Sequence, residues 1–286
     1  MPELTLAAVV RSAAERLAAA GVPDPLVDAE LLAGHVQGAR RGEVQAAIVR
    51  GDTMGEQDAA ALDALITRRE AREPLQHLTG VAPFRHLELA VGPGVFVPRP
   101  ETETVAQFAI DALLNDPDPE PIGVDLCTGS GAIALAMATE VPHSRIYAVE
   151  LSTDAYAWAA RNTVDAANLT LVHADLADAL EEIDGTAAVV ISNPPYVPDD
   201  AIPRDPEVRL FDPDMALYGG PDGLDIVRVL SSRALRLLRP GGLLVIEHGE
   251  LQGEAIRTLL SQDGWRAPTT HRDLTQRDRS TTALRP

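Results

Sequence analysis

Four consecutive residues, Asn193-Pro194-Pro195-Tyr196, come just after an apolar run that ends at Ile191. Proline has no backbone N–H group and stiffens the chain, so the carbonyl groups of this segment point outward as unpaired acceptors. The Asn193 side chain adds another carbonyl acceptor, and Tyr196 offers a flat face. Two convergent acceptors beside an aromatic ring suit a planar NH2 group. The segment therefore predicts a site for an amide or for an aminated base.

The chemistry of such a site depends on how the nitrogen is held. An amide nitrogen is a poor nucleophile because its lone pair is delocalised into the carbonyl group. Acceptors on both N–H groups draw charge onto the nitrogen and orient it toward an electrophilic carbon. The rate then comes mainly from in-line positioning and from exclusion of water, without a catalytic base or a metal. Asn193 is therefore predicted both to bind the substrate and to take part in catalysis.

A second candidate site is the segment VDLCTGSGAIALA, which begins at Val124. Gly129 and Gly131 allow a sharp turn, and the N-terminus of the helix that follows favours an anionic group. Asp125, placed before the turn, can attract an amino group. A ligand with an ammonium and a carboxylate is an amino acid, and the methionine end of S-adenosylmethionine supplies both. The glycines also fit the looser dinucleotide pattern that ends at Ala134, and a turn without a ligand is a third possibility.

Two further acidic residues follow predicted strands. Glu150 lies nineteen residues beyond Gly131, where an acidic side chain accepts hydrogen bonds from ribose hydroxyl groups. Asp175 can accept a hydrogen bond from an adenine amine, with the backbone of Leu176 beside the ring edge. An alternative for Asp175 is a helix N-cap.

The elements that position these residues alternate between strand and helix, which predicts a mostly parallel sheet with helices on both faces. Ligands of such sheets bind outside the carboxyl ends of the strands, where the candidate residues lie. The predicted strands are Ile122–Leu126, Arg145–Val149, Leu169–His173, Ala187–Ile191 and Leu243–Glu247, with one or two more between Arg272 and Arg285. The predicted helices are Gly131–Glu140, Thr153–Ala167, Asp222–Arg239 and Gly249–Asp263, preceded by a helix that begins near Glu101.

The first seventy residues show only helical spacing. Leu6, Val10, Ala13 and Leu17 recur on one helical face, and Asp24-Pro25 is a typical helix start. The sequence therefore predicts three parts: a helical bundle at 1–73, a β-hairpin connector at 74–100 and an α/β domain at 101–286.

Composition limits the possible partners and location. The net charge is -19, and all 24 basic residues are arginine. Such a chain is a poor candidate for direct nucleic-acid binding, which needs clustered positive charge. Cys127 is the only cysteine, so no disulfide framework is possible and a reducing compartment is expected. With no signal peptide or membrane span expected, the protein is predicted to be cytoplasmic, not bound to membranes, and a monomer.

Five segments occur in the same order as in a known family: EPLQHLTG, FVPRPETE, DLCTGSGAIALA, ISNPPYVP and IEHGELQGEAIR. From about Glu73 to the end, the chain resembles the bacterial protein-glutamine methyltransferases that modify class I peptide-chain release factors. The resemblance implies a Rossmann-like S-adenosylmethionine-dependent methyltransferase sheet with a small N-terminal helical domain that contacts the release factor. It implies S-adenosylmethionine as the cofactor and the glutamine amide of the Gly-Gly-Gln motif as the substrate.

The resemblance also assigns roles to residues. It implies that Asn193 and the Pro194 carbonyl grip the substrate amide, with Pro195 and Tyr196 beside them. The implied cofactor pocket is lined by Cys127, Thr128, Gly129, Ser130, Gly131, Glu150, Leu176 and Asn193, together with Asp125 and Asp175 from the reasoning above. Many relatives have glycine where this chain has Cys127, and a small residue with negative φ is expected there. The long stretch 197–223, with Arg209, Phe211 and Gly219-Gly220, is a candidate substrate-facing loop.

Other interpretations leave features unexplained. A DNA methyltransferase acting on an exocyclic amine of adenine or cytosine would fit the chemistry of Asn193–Tyr196 but not the charge. A dinucleotide-dependent oxidoreductase gives that segment no role, and a non-catalytic adaptor would not need Asn193. Glu247, His248 and Glu250 resemble metal ligands, but neighbouring residues on a strand point to opposite faces, so no metal is expected. The pairs Arg40–Arg41 and Arg68–Arg69 could contact ribosomal or release-factor surfaces, but solvated helix faces are the preferred interpretation.

Overall fold

The computed structural model describes residues 4–286. None of the helices in these residues is both long and apolar enough to span a membrane. The helices are α1 (Leu6–Ala19), α2 (Pro25–Gln37), α3 (Arg41–Arg50), α4 (Glu56–Glu70), α5 (Leu75–Thr79), α6 (Pro100–Leu114), α7 (Ala132–Glu140), α8 (Thr153–Thr163), α9 (Pro206–Phe211), α10 (Asp214–Leu217), α11 (Asp225–Leu237) and α12 (Gly253–Gln262). The strands are β1 (Leu4–Thr5), β2 (Thr53–Met54), β3 (Val81–Phe84), β4 (Leu87–Ala90), β5 (Ile122–Leu126), β6 (Arg145–Glu150), β7 (Leu169–His173), β8 (Ala187–Ser192), β9 (Leu238–Glu247), β10 (Arg266–Arg272) and β11 (Asp278–Leu284).

These elements form two compact units. The first takes in the chain up to Val81 together with Arg204–Phe211, and the second comprises Ala82–Pro203 and Asp212–Pro286. The predicted boundaries at residues 73 and 100 both fall inside these units, so the three-part division stays a prediction.

The first unit is helical and has its own apolar core. The four residues predicted to share a face of α1 are all buried, which confirms the helical spacing: Leu6, Val10, Ala13 and Leu17. They pack with apolar side chains of α2, α3 and α4. Helix α2 begins at Pro25, as predicted, because the ring fixes a helical φ where no N–H is needed.

A buried cluster of charged residues lies in the first unit. Glu207 of α9 accepts hydrogen bonds from Arg69 Nη1 at 2.7 Å and from Arg72 Nε and Nη2 at 2.8 and 2.6 Å. Arg69 Nε also donates to Asp28 Oδ2 at 2.8 Å. Asp28, Arg69 and Glu207 are each less than 9% exposed. The expectation that Arg68 and Arg69 share a solvated face is therefore wrong for Arg69, whose charge is paired inside the unit.

The second unit is built on a seven-stranded sheet of order β10-β11-β9-β8-β5-β6-β7. The five strands from β9 to β7 run parallel, and β10 and β11 are antiparallel additions at one edge. Helices cover both faces: apolar residues of α6, α7 and α8 pack on one face, and those of α11 and α12 on the other. The α/β prediction is confirmed, and one closing strand, β11, lies in the predicted range from Arg272 to Arg285, whereas β10 precedes that range and ends at Arg272. Because strand order reverses between β5 and β8, a ligand crevice is expected at their carboxyl ends.

Several element ends differ from the predicted ones. Strand β9 begins at Leu238, five residues before the predicted start, and its register against β8 shifts between Ala187 and Val189. Gly241 has φ +77° in this irregular part, and a Cβ atom on Gly242 would lie 3.1 Å from the Ala187 carbonyl oxygen. An Arg-Pro-Gly-Gly sequence normally signals a turn, and here it forms a bulge within the strand instead.

Candidate active site

The side chain of Asp125 stabilises the turn that follows β5. This side chain is completely buried, and its Oδ2 accepts hydrogen bonds from Thr128 Oγ1 at 2.5 Å and from the Ala134 N–H at 3.1 Å. Burial raises the pKa of Asp125 to about 7. Its Oδ1 has no hydrogen-bond partner within residues 4–286. Asp125 therefore holds the turn together, and only Oδ1 remains for the predicted contact with a ligand ammonium group.

The backbone of this turn is left-handed at three positions. Cys127, Gly129 and Gly131 have φ values of +63°, +57° and +83°. The expected negative φ at Cys127 is therefore wrong: this residue adopts the conformation that glycine tolerates best. A Cβ atom on Gly129 would meet nothing within 4 Å, so its backbone borders open space that a ligand can occupy. Thr128 and Ser130 are buried.

Glu150 joins the end of β6 to this turn. Its Oε2 accepts a hydrogen bond from the Gly129 N–H at 2.8 Å, and its Oε1 accepts one from the Ser152 N–H at 2.8 Å. Glu150 is the last residue of β6, one position nearer the strand than predicted. Burial raises its pKa, although these N–H groups act in the opposite direction. Each oxygen keeps a second lone pair, which the predicted bonds from ribose hydroxyl groups would use.

The residues after β7 form a tight turn and not an α-helix. Asp175 is exposed, and its Oδ1 accepts a hydrogen bond from the Ala177 N–H at 2.9 Å. Its carbonyl oxygen accepts a further bond from the Ala179 N–H at 3.1 Å. Leu176 is buried. Asp175 thus organises the turn locally, and the contact with adenine stays a prediction.

Asn193 follows the last residue of β8, beside the end of β5 in the sheet. It is partly buried, and no other residue of the described chain hydrogen-bonds to its side chain. Pro194 is buried, and Pro195 and Tyr196 are partly buried. The amide of Asn193 is therefore available to a ligand at the carboxyl edge of the sheet, where the sequence placed it.

Gln252 supports the backbone of this segment, a role that sequence reasoning missed. Its Nε2 donates to the Tyr196 carbonyl oxygen at 2.9 Å, and its Oε1 accepts from the Gly249 N–H at 2.9 Å. The side-chain amide of Gln252 therefore uses one donor and one acceptor to link the loops that contain Tyr196 and Gly249. Gln252 lies within the family-like segment IEHGELQGEAIR, which offered no sign of this contact.

The glycines after this segment allow a close approach of two backbones. A Cβ atom on Gly219 would lie 2.5 Å from the Pro195 carbonyl oxygen, and one on Gly223 would lie 2.3 Å from that of Tyr196. The Gly219 N–H also donates to the Val197 carbonyl oxygen at 2.9 Å. These glycines therefore pack closely against the backbone of the Asn193–Tyr196 segment. This contact gives part of the long stretch 197–223 a structural role.

We expect Gly223→Ala to lower the activity of this site about 10- to 100-fold, because the new methyl group must displace the Tyr196 carbonyl and with it the neighbouring acceptors. Gly241→Ala is the matched control: Gly241 also has a positive φ of +77°, but nothing lies within 4 Å of an added Cβ. Both variants should lose about 1 kcal/mol or more of stability from backbone strain. Equal activity of the two variants, measured in steady-state assays, would contradict the packing argument.

A buried acidic side chain lies near Tyr196. Glu247, the last residue of β9, is 1% exposed, and its Oε1 accepts a hydrogen bond from Thr102 Oγ1 at 3.1 Å. Burial raises the pKa of Glu247 to about 8. Burial, and then the negative charge of Glu247, raise the pKa of Tyr196 to about 12.

The side chains of His248 and Glu247 contact different residues, as expected for neighbouring residues that point to opposite faces of a strand. Its Nε2 lies 2.9 Å from Thr281 Oγ1, and its Nδ1 lies 2.9 Å from the Gly249 carbonyl oxygen. No group of three or more potential metal ligands was found within residues 4–286.

Comparison with protein-family models matches two segments of the chain. Residues 8–80 match the PrmC N-terminal domain, and residues 86–212 match the methyltransferase small domain.

Curated relatives that carry the name release factor glutamine methyltransferase resemble the chain over almost its whole length. The protein from Streptomyces coelicolor is 50% identical over 281 residues, which cover 97% of both chains. The one from Bifidobacterium longum is 44% identical, covering 95% of this chain and 96% of that protein. The one from Corynebacterium glutamicum is 42% identical, covering 98% and 99%.

Proposed function

This chain belongs to the release factor glutamine methyltransferase family, and on that premise we propose that it methylates the side-chain amide nitrogen of a release-factor glutamine, with S-adenosylmethionine as methyl donor. The observation that carries the proposal is the unpartnered amide of Asn193 at the carboxyl end of β8, followed by two prolines and Tyr196. The target within class I release factors is the glutamine of the Gly-Gly-Gln motif.

The residues of the second unit fit S-adenosylmethionine, which supplies a methyl group on a positively charged sulfur. The open space beside Gly129 and the free Oδ1 of Asp125 suit the methionine end of this cofactor. The remaining lone pairs of Glu150 suit the ribose hydroxyl groups. The turn at Asp175 and Leu176, which follows the adjacent strand β7, is the assigned adenine contact.

The substrate amide is assigned to the Asn193–Tyr196 segment. Asn193 Oδ1 and the Pro194 carbonyl oxygen accept the two amide N–H groups and orient the nitrogen toward the methyl carbon. S-adenosylmethionine held at the turn after β5 would supply the electrophilic methyl group, and the amide proton that the methyl group replaces would pass to bulk water. Tyr196 packs beside the amide plane and limits the access of water. The chemistry therefore depends on positioning and charge withdrawal by neutral groups.

The partner is a protein. The helical unit is assigned to the body of the release factor, and the acidic chain, with a net charge of -19, suits a partner with basic surface. The same proposal places the reaction in the cytoplasm, with the enzyme acting as a monomer. Methylation of an exocyclic amine in DNA is not favoured, since the relatives are named for a protein substrate.

The test is methyl transfer from labelled S-adenosylmethionine to three acceptors. These are a purified class I release factor, its Gln→Ala variant in the Gly-Gly-Gln motif, and duplex DNA. We expect label on the native factor only, which would identify both the protein and the residue. Equal labelling of the Gln→Ala variant would contradict the assigned target, and label on DNA alone would contradict the proposed function.

A further inference from the structure

Glu247 shares a position in the sheet with Asn193. The parallel strands β8 and β9 pair Ile191 with Val245 and Ser192 with Ile246, so the next positions are Asn193 and Glu247. Ile191 and Val245 belong to the core on the face covered by α6, and side chains two residues further along point the same way. The bond from Thr102, in the first turn of α6, agrees with this direction for Glu247. Glu247 therefore lies on the same side of the sheet as Asn193, at the neighbouring strand end.

The Glu247 carboxyl group is incompletely hydrogen-bonded. Its Oε1 accepts one bond from Thr102, whereas Oε2 is buried and has no hydrogen-bond partner within residues 4–286. A buried polar atom without a partner costs free energy, and almost all such atoms in folded proteins are satisfied. An unsatisfied oxygen at the ligand-binding edge of an α/β sheet indicates that a ligand supplies the missing partner.

Burial, more than the neighbouring charges, determines the protonation of Glu247. Arg279 of β11 favours the ionised form and Glu101 of α6 opposes it, but burial outweighs both and raises the pKa of Glu247 to about 8. At neutral pH the carboxyl group is therefore mainly protonated and can donate a hydrogen bond. Burial raises the pKa of the neighbouring Tyr196 to about 12 and lowers that of His248 below its usual range, so neither gains or loses a proton between pH 7 and 9.

Resting on the proposed function, we propose that Glu247 donates a hydrogen bond to the carbonyl oxygen of the substrate amide. Asn193 and Pro194 accept the two N–H groups of that amide and leave its oxygen without a partner in a site that excludes water. A donor from the adjacent strand satisfies this oxygen and stops rotation of the amide plane. Because the bond is made in the ground state and in the transition state alike, its loss should raise KM more than it lowers kcat.

The test compares Glu247→Gln and Glu247→Leu with the wild-type protein, with the native release factor as substrate. Glutamine keeps an N–H donor of similar length, so we expect KM at pH 7 within about threefold of wild type. Leucine has no donor, and we expect KM to rise about 10- to 100-fold with kcat and the Kd for S-adenosylmethionine nearly unchanged. Glu250→Gln is the control, since Glu250 is an exposed acid on the following turn.

The pH dependence gives a second readout that does not need the leucine variant to fold. The donor is present below the raised pKa and is lost as pH rises through about 8. The wild-type KM should therefore be flat below pH 8 and rise about tenfold per pH unit above it, whereas Glu247→Gln should show no rise in KM up to pH 9.

Three results would overturn the inference. A large fall in kcat for Glu247→Gln would mean that the carboxylate acts as an acceptor or base, and an unchanged KM in a folded Glu247→Leu would mean a purely structural role. A parallel pH dependence of KM in wild type and Glu247→Gln would assign the titration to another group. Failure of the proposed function is a separate outcome, because the wild-type protein would then not label the release factor at all.

Discussion

Asn193→Ala is expected to lower the turnover number for methyl transfer about 100- to 1,000-fold. Alanine removes the side-chain oxygen that is proposed to accept an amide N–H, so the nitrogen loses both its orientation and the withdrawal of charge toward it. The loss should appear in kcat, because the interaction matters most as charge develops on the nitrogen. The measurement is single-turnover methyl transfer to a class I release factor under saturating cofactor.

Measurements of cofactor binding and of stability distinguish this loss of turnover from general damage to the folded protein. Asn193 is only partly buried and has no partner within the described chain, so its truncation should change the free energy of unfolding little. The variant should still bind S-adenosylmethionine, with some loss of affinity because Asn193 also borders the assigned cofactor pocket. Asn115→Ala, at an exposed asparagine after α6, is the control. Wild-type turnover in Asn193→Ala would remove the proposed mechanism and leave the fold assignment intact.

The second large effect is expected on stability. Glu207→Ala should lower the free energy of unfolding of the helical unit by about 3–5 kcal/mol, because it leaves the partly buried Arg72 without its carboxylate partner and the buried Arg69 with Asp28 as its remaining carboxylate partner. Burial alone favours the neutral form of Glu207, but hydrogen bonds, chiefly from Arg72, hold its pKa well below the usual range. The measurement is chemical denaturation followed by circular dichroism of the full chain.

The matched control for this variant is an exposed ion pair of the same unit. Asp52 pairs with Arg50 at 2.7 Å, and the two side chains are 43% and 60% exposed. Asp52→Ala should cost less than about 1 kcal/mol, since solvent screens such pairs. Because the lowered pKa makes ionised Glu207 stabilising, the wild-type unit should lose stability as the pH falls below about 4, and Glu207→Ala should lose less. Equal costs for the two alanine variants at pH 7 would contradict the buried-pair argument.

Local signals in the sequence predicted much of the fold and the positions of the candidate residues within it. Apolar spacing identified the buried face of α1, and short apolar runs identified the strands of the parallel sheet. The ligand rule for such sheets then placed Asn193 and Glu150 at one edge. These predictions succeeded because each depends on residues within a few positions of one another, or on a general property of the fold.

The predictions that failed concern contacts between distant residues or unusual backbone. Glu207 and Arg69 are 138 residues apart in sequence, and nothing near either residue reveals the pair. The contact of Gln252 with Tyr196 spans 56 residues, so it could not be predicted either. Cys127 was expected at negative φ, but its φ is +63°, in the left-handed region that most side chains avoid.

The assignment of Arg204–Phe211 to the helical unit affects how the chain is made. A ribosome releases the chain from its N-terminus, so α1 to α5 emerge well over a hundred residues before α9. Until Glu207 is synthesised, Arg72 lacks its carboxylate partner and Arg69 lacks one of its two. The residues matched by the N-terminal family model stop at 80 and omit this helix. A fragment cut at that boundary, or a chimaera joined there, would therefore lack the carboxylate that pairs with Arg69 and Arg72.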